Sequence, residues 1–179
     1  DPPTTPATGG IATHDRSESL AACLESVLAQ DHVAFEIVIV DNAPSSDATL
    51  ALLIERYSDE PRIRYVREPV AGLARAHTRG LLEVETPIVA FTDDDVLADP
   101  EWLRNLVSGF GDDLSVGCVT GLIFPVELET QAQEWLEGYA GYAKGLVRSA
   151  FDLHTNRPDD TLFPWTAGTL GSGANMAFR

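Results

Sequence analysis

The sequence is short of positive charge. Twelve lysines and arginines face 28 aspartates and glutamates in 179 residues, a formal net charge of −16. That deficit argues against any role that runs on nonspecific attraction to nucleic acid phosphates or anionic lipid. A phosphate-bearing ligand would need a divalent cation between itself and the protein's acids. Cysteine is nearly absent too. Cys23 and Cys118 lie far apart in apolar stretches and match no metal spacing, so both read as buried free thiols. No apolar run approaches the ~18–20 residues of a membrane span. The opening Asp1-Pro2-Pro3-Thr4-Thr5-Pro6 lacks the basic and apolar regions of a signal peptide. These absences predict a cytoplasmic protein without a transmembrane segment, or a piece of a larger one whose other parts carry any membrane association.

What is there is an ordinary globular composition, 44% hydrophobic and 22% charged, enough for one domain with a core. Residues 1–10, rich in Pro, Thr and Gly, read as a disordered entry or a degraded first strand, with Ile11-Ala12-Thr13 as its remnant. Leu20, Cys23, Leu24, Val27 and Leu28 recur at helical spacing. Phe35 to Val40 is a β-branched run of the kind buried on both faces of a parallel sheet. A second helix carries Leu50, Leu53, Ile54 and Tyr57, a strand spans Arg62 to Val66, and a third helix carries Leu73, Ala76, Leu81 and Val84. Pro87 to Thr92 is the next strand, and Asp99-Pro100 predicts a helix start with an acid as N-cap. Beyond residue 115 the pattern predicts a long strand at 116–124, a helix over 128–147 and a polar loop at 152–162. Strand and helix alternating four times predict an α/β sandwich, with a mainly parallel sheet and helices on both faces.

The chemistry-bearing stretch is Asp93-Asp94-Asp95, at the exit of the Pro87–Thr92 strand. Three adjacent acids taken alone are an ordinary solvated loop, but open α/β sheets hold ligands at the carboxyl ends of their strands. Alternation along a strand predicts that Asp93 and Asp95 face one cleft and Asp94 points elsewhere. Such a pair suits Mg²⁺ or Mn²⁺, which takes one or two carboxylates and completes its shell with phosphate oxygens and water. Asp41 and Asn42 end their own strand, either as turn formers or as a polar pocket floor able to hydrogen-bond a base. His14 reads as an exposed loop residue and His77 as a packing or surface histidine. Arg75, in a helix's first turn near Gly72, either meets an anion or is solvated. Trp165 either stacks on a sugar or fills the core.

Together, Ile11 to Arg16, Ile39-Val40-Asp41-Asn42 with Ser46-Asp47, Gly72 to Ala76, Asp93-Asp94-Asp95 with Pro100, and Gly171 to Asn175 resemble a family 2 glycosyltransferase of the GT-A (Rossmann-like) fold. The resemblance covers Ile11 to Arg179 and implies a domain truncated at both ends. Residues 11–115 would form its nucleotide-binding half and 116–179 its acceptor-side half. It implies metal-dependent inverting transfer of a sugar, of the hexosyltransferase type, from a nucleoside diphosphate-sugar to a hydroxyl of a carbohydrate, lipid-linked or small-molecule acceptor.

By that resemblance Thr13 and Asp41 contact the nucleobase, with Asn42, Gly72, Arg75 and Asp94 in the nucleotide-sugar site. Asp93 meets the ribose or the metal shell, and Asp95 the Mn²⁺ or Mg²⁺. Trp165, Gly173 and Asn175 border donor sugar and acceptor. The general base would lie beyond Arg179; Asp159 and Asp160 are carboxylates in a candidate acceptor loop without an assigned role. His77-Thr78 stand where many members carry Arg-Asn. The other readings are a noncatalytic nucleotide-sugar or carbohydrate-binding fragment, and a related metal-dependent nucleotidyltransferase.

Overall fold

The computed structural model describes residues 4–32, 34–140, 147–165 and 170–179. Its first two thirds alternate strand and helix: β1 (Ala7–Thr13), α1 (Ser17–Leu28), β2 (Phe35–Asn42), α2 (Ala48–Tyr57), β3 (Ile63–Glu68), α3 (Leu73–Leu81), β4 (Ile88–Asp93) and α4 (Trp102–Phe110). Then come β5 (Cys118–Thr120), α5 (Gln131–Ala140) and β6 (Met176–Phe178). The six strands form one sheet in the order β3-β2-β1-β4-β6-β5. The first four are mutually parallel, while β6 runs antiparallel to both β4 and β5. This is the expected α/β sandwich with a mainly parallel sheet.

The period-two alternation of a strand assigns each residue to a layer. Ile37 and Ile39 of β2, Ile11 of β1, and Ile88 and Ala90 of β4 join the main core, with Leu20, Leu24 and Val27 of α1, Leu53 of α2, and Leu103, Leu106 and Phe110 of α4. Val38 and Val40 face the other way and pack with Val66 and with Ala76 of α3. Helices α1, α2 and α4 therefore cover one face and α3 the other.

Several expectations are corrected. The first strand is neither missing nor degraded: Ala7 to Thr13 forms seven residues of β1, paired on both sides, and almost wholly buried. Its glycine answers a packing need. A Cβ on Gly10 would lie 2.8 Å from the Phe91 ring, so the bare backbone of β1 makes room for that ring. Phe91 also contacts the rings of His77 (centroids 4.8 Å apart) and Phe178, so His77 is a packing residue.

The long strand expected at 116–124 shrinks to Cys118–Thr120, because its partner β6 offers three residues to pair with. Cys118 is exposed there, while Cys23 is buried as expected. Helix α4 begins at Trp102; Asp99 caps the turn before it, its Oδ1 accepting from the Glu101 N–H at 2.9 Å. The helix expected over 128–147 begins at Gln131, and residues 141–146 lie outside the described residues. Among the described residues no helix is long and apolar enough to cross a membrane.

Candidate functional site

Strand order reverses direction at β1 and β4. From β1 the chain proceeds outward to β2 and β3, then returns to place β4 on the other side of β1. The loops leaving β1 and β4 lie side by side at the carboxyl ends of the strands, joined by Thr13 and Arg16 to Asp94, and this edge is the general ligand position of open α/β sheets. A cavity of about 430 Å³ lies there, a volume within the usual range for small-molecule sites. Its walls are Ala12 to His14 and Arg16 from the end of β1, Asn42 from β2, Ala71 to Leu73 and Ala76 from the start of α3, and Asp93, Asp94 and Asp95.

All three aspartates line it, which corrects the expectation from strand alternation that Asp94 points elsewhere. Strand β4 ends at Asp93 and the chain turns, the Val96 N–H reaching the Asp93 carbonyl at 3.4 Å, so alternation does not continue through Asp95. Asp94 is buried with both oxygens engaged. The Thr13 hydroxyl donates to Oδ2 at 2.6 Å, and Arg16 Nη1 donates to Oδ1 at 3.3 Å. The same nitrogen donates to Asp95 Oδ2 at 3.2 Å. Asp95 is exposed; Asp93 is half-buried, and burial, then the charges of Asp95 and Asp94, push its carboxyl above the ordinary range. Beneath it the Cys23 thiol donates to the Asp93 carbonyl, and burial pushes that thiol up to about 12.

Burial first, and the neighbouring acids after it, raise the Asp93 carboxyl, a setting that a divalent cation would relieve, and the hard-oxygen donor type fits Mg²⁺ or Mn²⁺. Among the described residues no three His, Cys, Asp or Glu side chains form a ready cage.

At the end of β2 the structure separates two neighbours. Asp41 shares the α1–α2 layer with Ile37 and Ile39. It is fully buried, takes a hydrogen bond from Tyr65 Oη at 2.9 Å on Oδ2, and leaves Oδ1 without a partner. Burial raises its carboxyl above the ordinary value, and burial together with Asp41 pushes the Tyr65 hydroxyl up to about 12. The cavity wall is Asn42 instead, one residue on and therefore on the α3 side. Asn42 Oδ1 accepts from the Gly72 N–H at 2.8 Å and its Nδ2 donates to the Val70 carbonyl at 2.8 Å, tying the loop before α3 to β2. Gly72 adopts φ 139°, a region that side chains disfavour.

His14, expected to be a plain loop residue, lines the cavity. Its Nδ1 lies 2.8 Å from the Asn42 carbonyl, which only accepts, so Nδ1 carries a proton. Asp15, at φ 54°, anchors the rim by accepting from the Ser45 N–H at 2.9 Å.

The remaining predicted site residues are not on the cavity wall. Arg75 is exposed, its methylenes beside Gly72. Trp165 is 86% exposed, so it does not fill the core. Asn175 is committed to the scaffold: Oδ1 accepts from Trp102 Nε1 at 2.9 Å, and Nδ2 donates to the Leu122 carbonyl at 2.7 Å. Gly173 opens the short 3₁₀ turn that carries Asn175 into β6. Sequence reasoning missed Arg16 and Asn42's role in tying the loop. The only available signal for Arg16 was its place three residues past Thr13 at a strand end.

Residues 10–164 match the family model described as Glycosyl transferase family 2. A chondroitin synthase of Escherichia coli is 28% identical over 109 residues, 61% of this chain and 16% of that protein. An uncharacterised protein of Mycobacterium tuberculosis is 32% identical over 131 residues, 72% of this chain and 39% of that protein. Among solved structures, a mannosyltransferase from Pyrobaculum calidifontis in complex with GDP-Man and Mn²⁺ superposes with a TM-score of 0.62 at 25% identity, over 70% of this chain and 38% of that one. TarS 1-349 of S. aureus superposes at 0.60 and 20% identity, over 70% of this chain and 37% of its own. The chain thus spans well under half the length of these relatives. The family match runs through β1, the acid triple and the loop before α3, the same elements that enclose the cavity, and the chain belongs to glycosyl transferase family 2.

Proposed function

We propose that this chain carries the donor-binding part of a metal-dependent inverting glycosyltransferase, of the hexosyltransferase type, which transfers a sugar from a nucleoside diphosphate-sugar to an acceptor hydroxyl. The observation that carries this reading is the cavity at the β1–β4 reversal with three consecutive carboxylates on one wall. The Pyrobaculum relative, in complex with GDP-Man and Mn²⁺, supports both the donor class and the cation.

In this reading Asp95, with Asp93 beside it, holds Mn²⁺ or Mg²⁺. The bound cation offsets the negative charge that gathers on the departing diphosphate. The protein's own contribution is placement. Thr13 and Arg16 fix Asp94, so the turn that presents Asp93 and Asp95 is held from beneath. Asn42 fixes the loop at Val70 to Gly72, giving the nucleotide a preformed wall. Thr13, His14 and Asn42 provide the polar edge for the nucleobase, and Asp93 the ribose side. The acceptor is a carbohydrate, lipid-linked or small-molecule hydroxyl, and the base that takes its proton is assigned to no residue of this chain.

Calorimetric titration with UDP, GDP, ADP and CDP, with and without Mn²⁺, tests this. Binding of at least one diphosphate that requires Mn²⁺, and that weakens by at least about tenfold in Asp95→Asn, is the expected result. No binding of any of the four in the presence of Mn²⁺ overturns the reading.

A further inference from the structure

Among the charges on the cavity wall, Arg16 makes two contacts, and the donor-binding reading uses only the one to Asp94. A single guanidinium nitrogen, Nη1, bridges Asp94 Oδ1 at 3.3 Å and Asp95 Oδ2 at 3.2 Å. The two contacts are unequal in setting. Asp94 is 7% exposed at its side chain and has a second, shorter bond from Thr13, so it keeps an anchor when Arg16 moves. Asp95 and Arg16 are each 58% exposed, and their contact is the one that can open. A divalent cation held by the Asp95 carboxylate would lie close to the Arg16 guanidinium, and two positive groups at such a separation repel.

We propose that Arg16 is a positioning residue that competes with the divalent cation for Asp95, so that cation loading moves the guanidinium off Asp95 Oδ2 while Thr13 keeps Asp94 in place. This rests on the proposed cation at Asp95. Its consequence is a site that discriminates against a bare cation. Arg16 stabilises the acid wall in the cation's place, and a metal arriving with a diphosphate has extra oxygen contacts with which to outcompete it. In a chain of net charge −16, where acidic surface attracts divalent cations generally, an internal counter-charge keeps this one position selective.

The test measures Mn²⁺ alone, by water-proton relaxation and by the free-Mn²⁺ electron paramagnetic resonance signal, on wild type, Arg16→Gln, Arg16→Lys, Asp95→Asn and the Arg16→Gln/Asp95→Asn double variant. Far-ultraviolet circular dichroism verifies that each is folded. Arg16→Gln is expected to bind Mn²⁺ about twofold to fivefold more tightly than wild type, the span that exposed ion pairs are worth. Arg16→Lys keeps the charge and stays within the wild-type range, and the gain from Arg16→Gln disappears in the Asp95→Asn background. Equal or weaker Mn²⁺ binding by folded Arg16→Gln overturns the competition while leaving the donor-site reading intact. Absence of Mn²⁺ binding by wild type and Arg16→Gln alike overturns the competition, and if Mn²⁺-dependent diphosphate binding is absent as well, the cation assignment falls with it.

Discussion

At the end of β2 a single residue step decides which side chain reaches the cavity. Sequence reasoning placed both Asp41 and Asn42 in the site; of the two, strand alternation brings Asn42 to the cavity wall and turns Asp41 to the other layer. A strand's period is legible in sequence, but its phase relative to a particular helix layer is not, and here the phase mattered. Asp93 and Asp95 were legible because they follow an apolar run directly, whereas Arg16 was not, since its partners Asp94 and Asp95 lie more than 70 residues away. The buried Asp41 makes a pH prediction. Its carboxyl titrates above the ordinary value because of burial, so the folded chain holds that proton more tightly than the unfolded chain does. Its contribution therefore favours folding below the unfolded pKa and is lost as pH rises through the raised folded one. Asp41→Asn cannot titrate, and its urea midpoint should fall less than wild type's, or rise, as pH is raised from 4 to 7. An unchanged pH slope would show that the unpaired oxygen is solvated in solution.

At the scale of elements, β2 and β4 were legible because runs of β-branched and aromatic residues bounded by acids have few alternatives. The first strand was not. Gly9 and Gly10 have low strand preference, and what holds them extended is β2 on one side and β4 on the other, information that no local window contains. The far end fails for the converse reason: Val116 to Phe124 has the composition of a strand, but only Cys118 to Thr120 pairs in the sheet, and Leu122 and Phe124 are left exposed. Propensity proposes a strand and pairing decides it. Gly10 gives this a measurable form. An added Cβ 2.8 Å from the Phe91 ring must displace a side chain packed against His77 and Phe178, so Gly10→Ala should cost about 1–3 kcal/mol in chemical denaturation. Phe91→Leu costs stability by itself, yet the double variant should lose less than the sum, because the two changes share one space. Additive losses would mean that the ring is not what the glycine accommodates.

For the whole molecule the governing quantity is the net charge of −16, part of which converges on the β1–β4 reversal as Asp93, Asp94 and Asp95 against a single Arg16. Two electrostatic costs are present and they separate experimentally. Diffuse self-repulsion is screened by any salt, with a Debye length that falls from ~30 Å at 0.01 M to ~8 Å at 0.15 M, so the urea midpoint should rise with NaCl over that span. A site that binds a cation only in the folded state adds a saturable increment that NaCl cannot supply, about 0.4 kcal/mol when the cation concentration equals its dissociation constant and growing as RT ln(1 + [L]/Kd). At matched ionic strength, MgCl₂ or MnCl₂ should therefore stabilise wild type beyond NaCl, and Asp95→Asn should keep the NaCl response while losing the divalent increment. If wild type responds to MgCl₂, MnCl₂ and NaCl identically at equal ionic strength, the acids at the strand ends act only as surface charge in the free chain. A cation would then enter the donor site only together with the diphosphate.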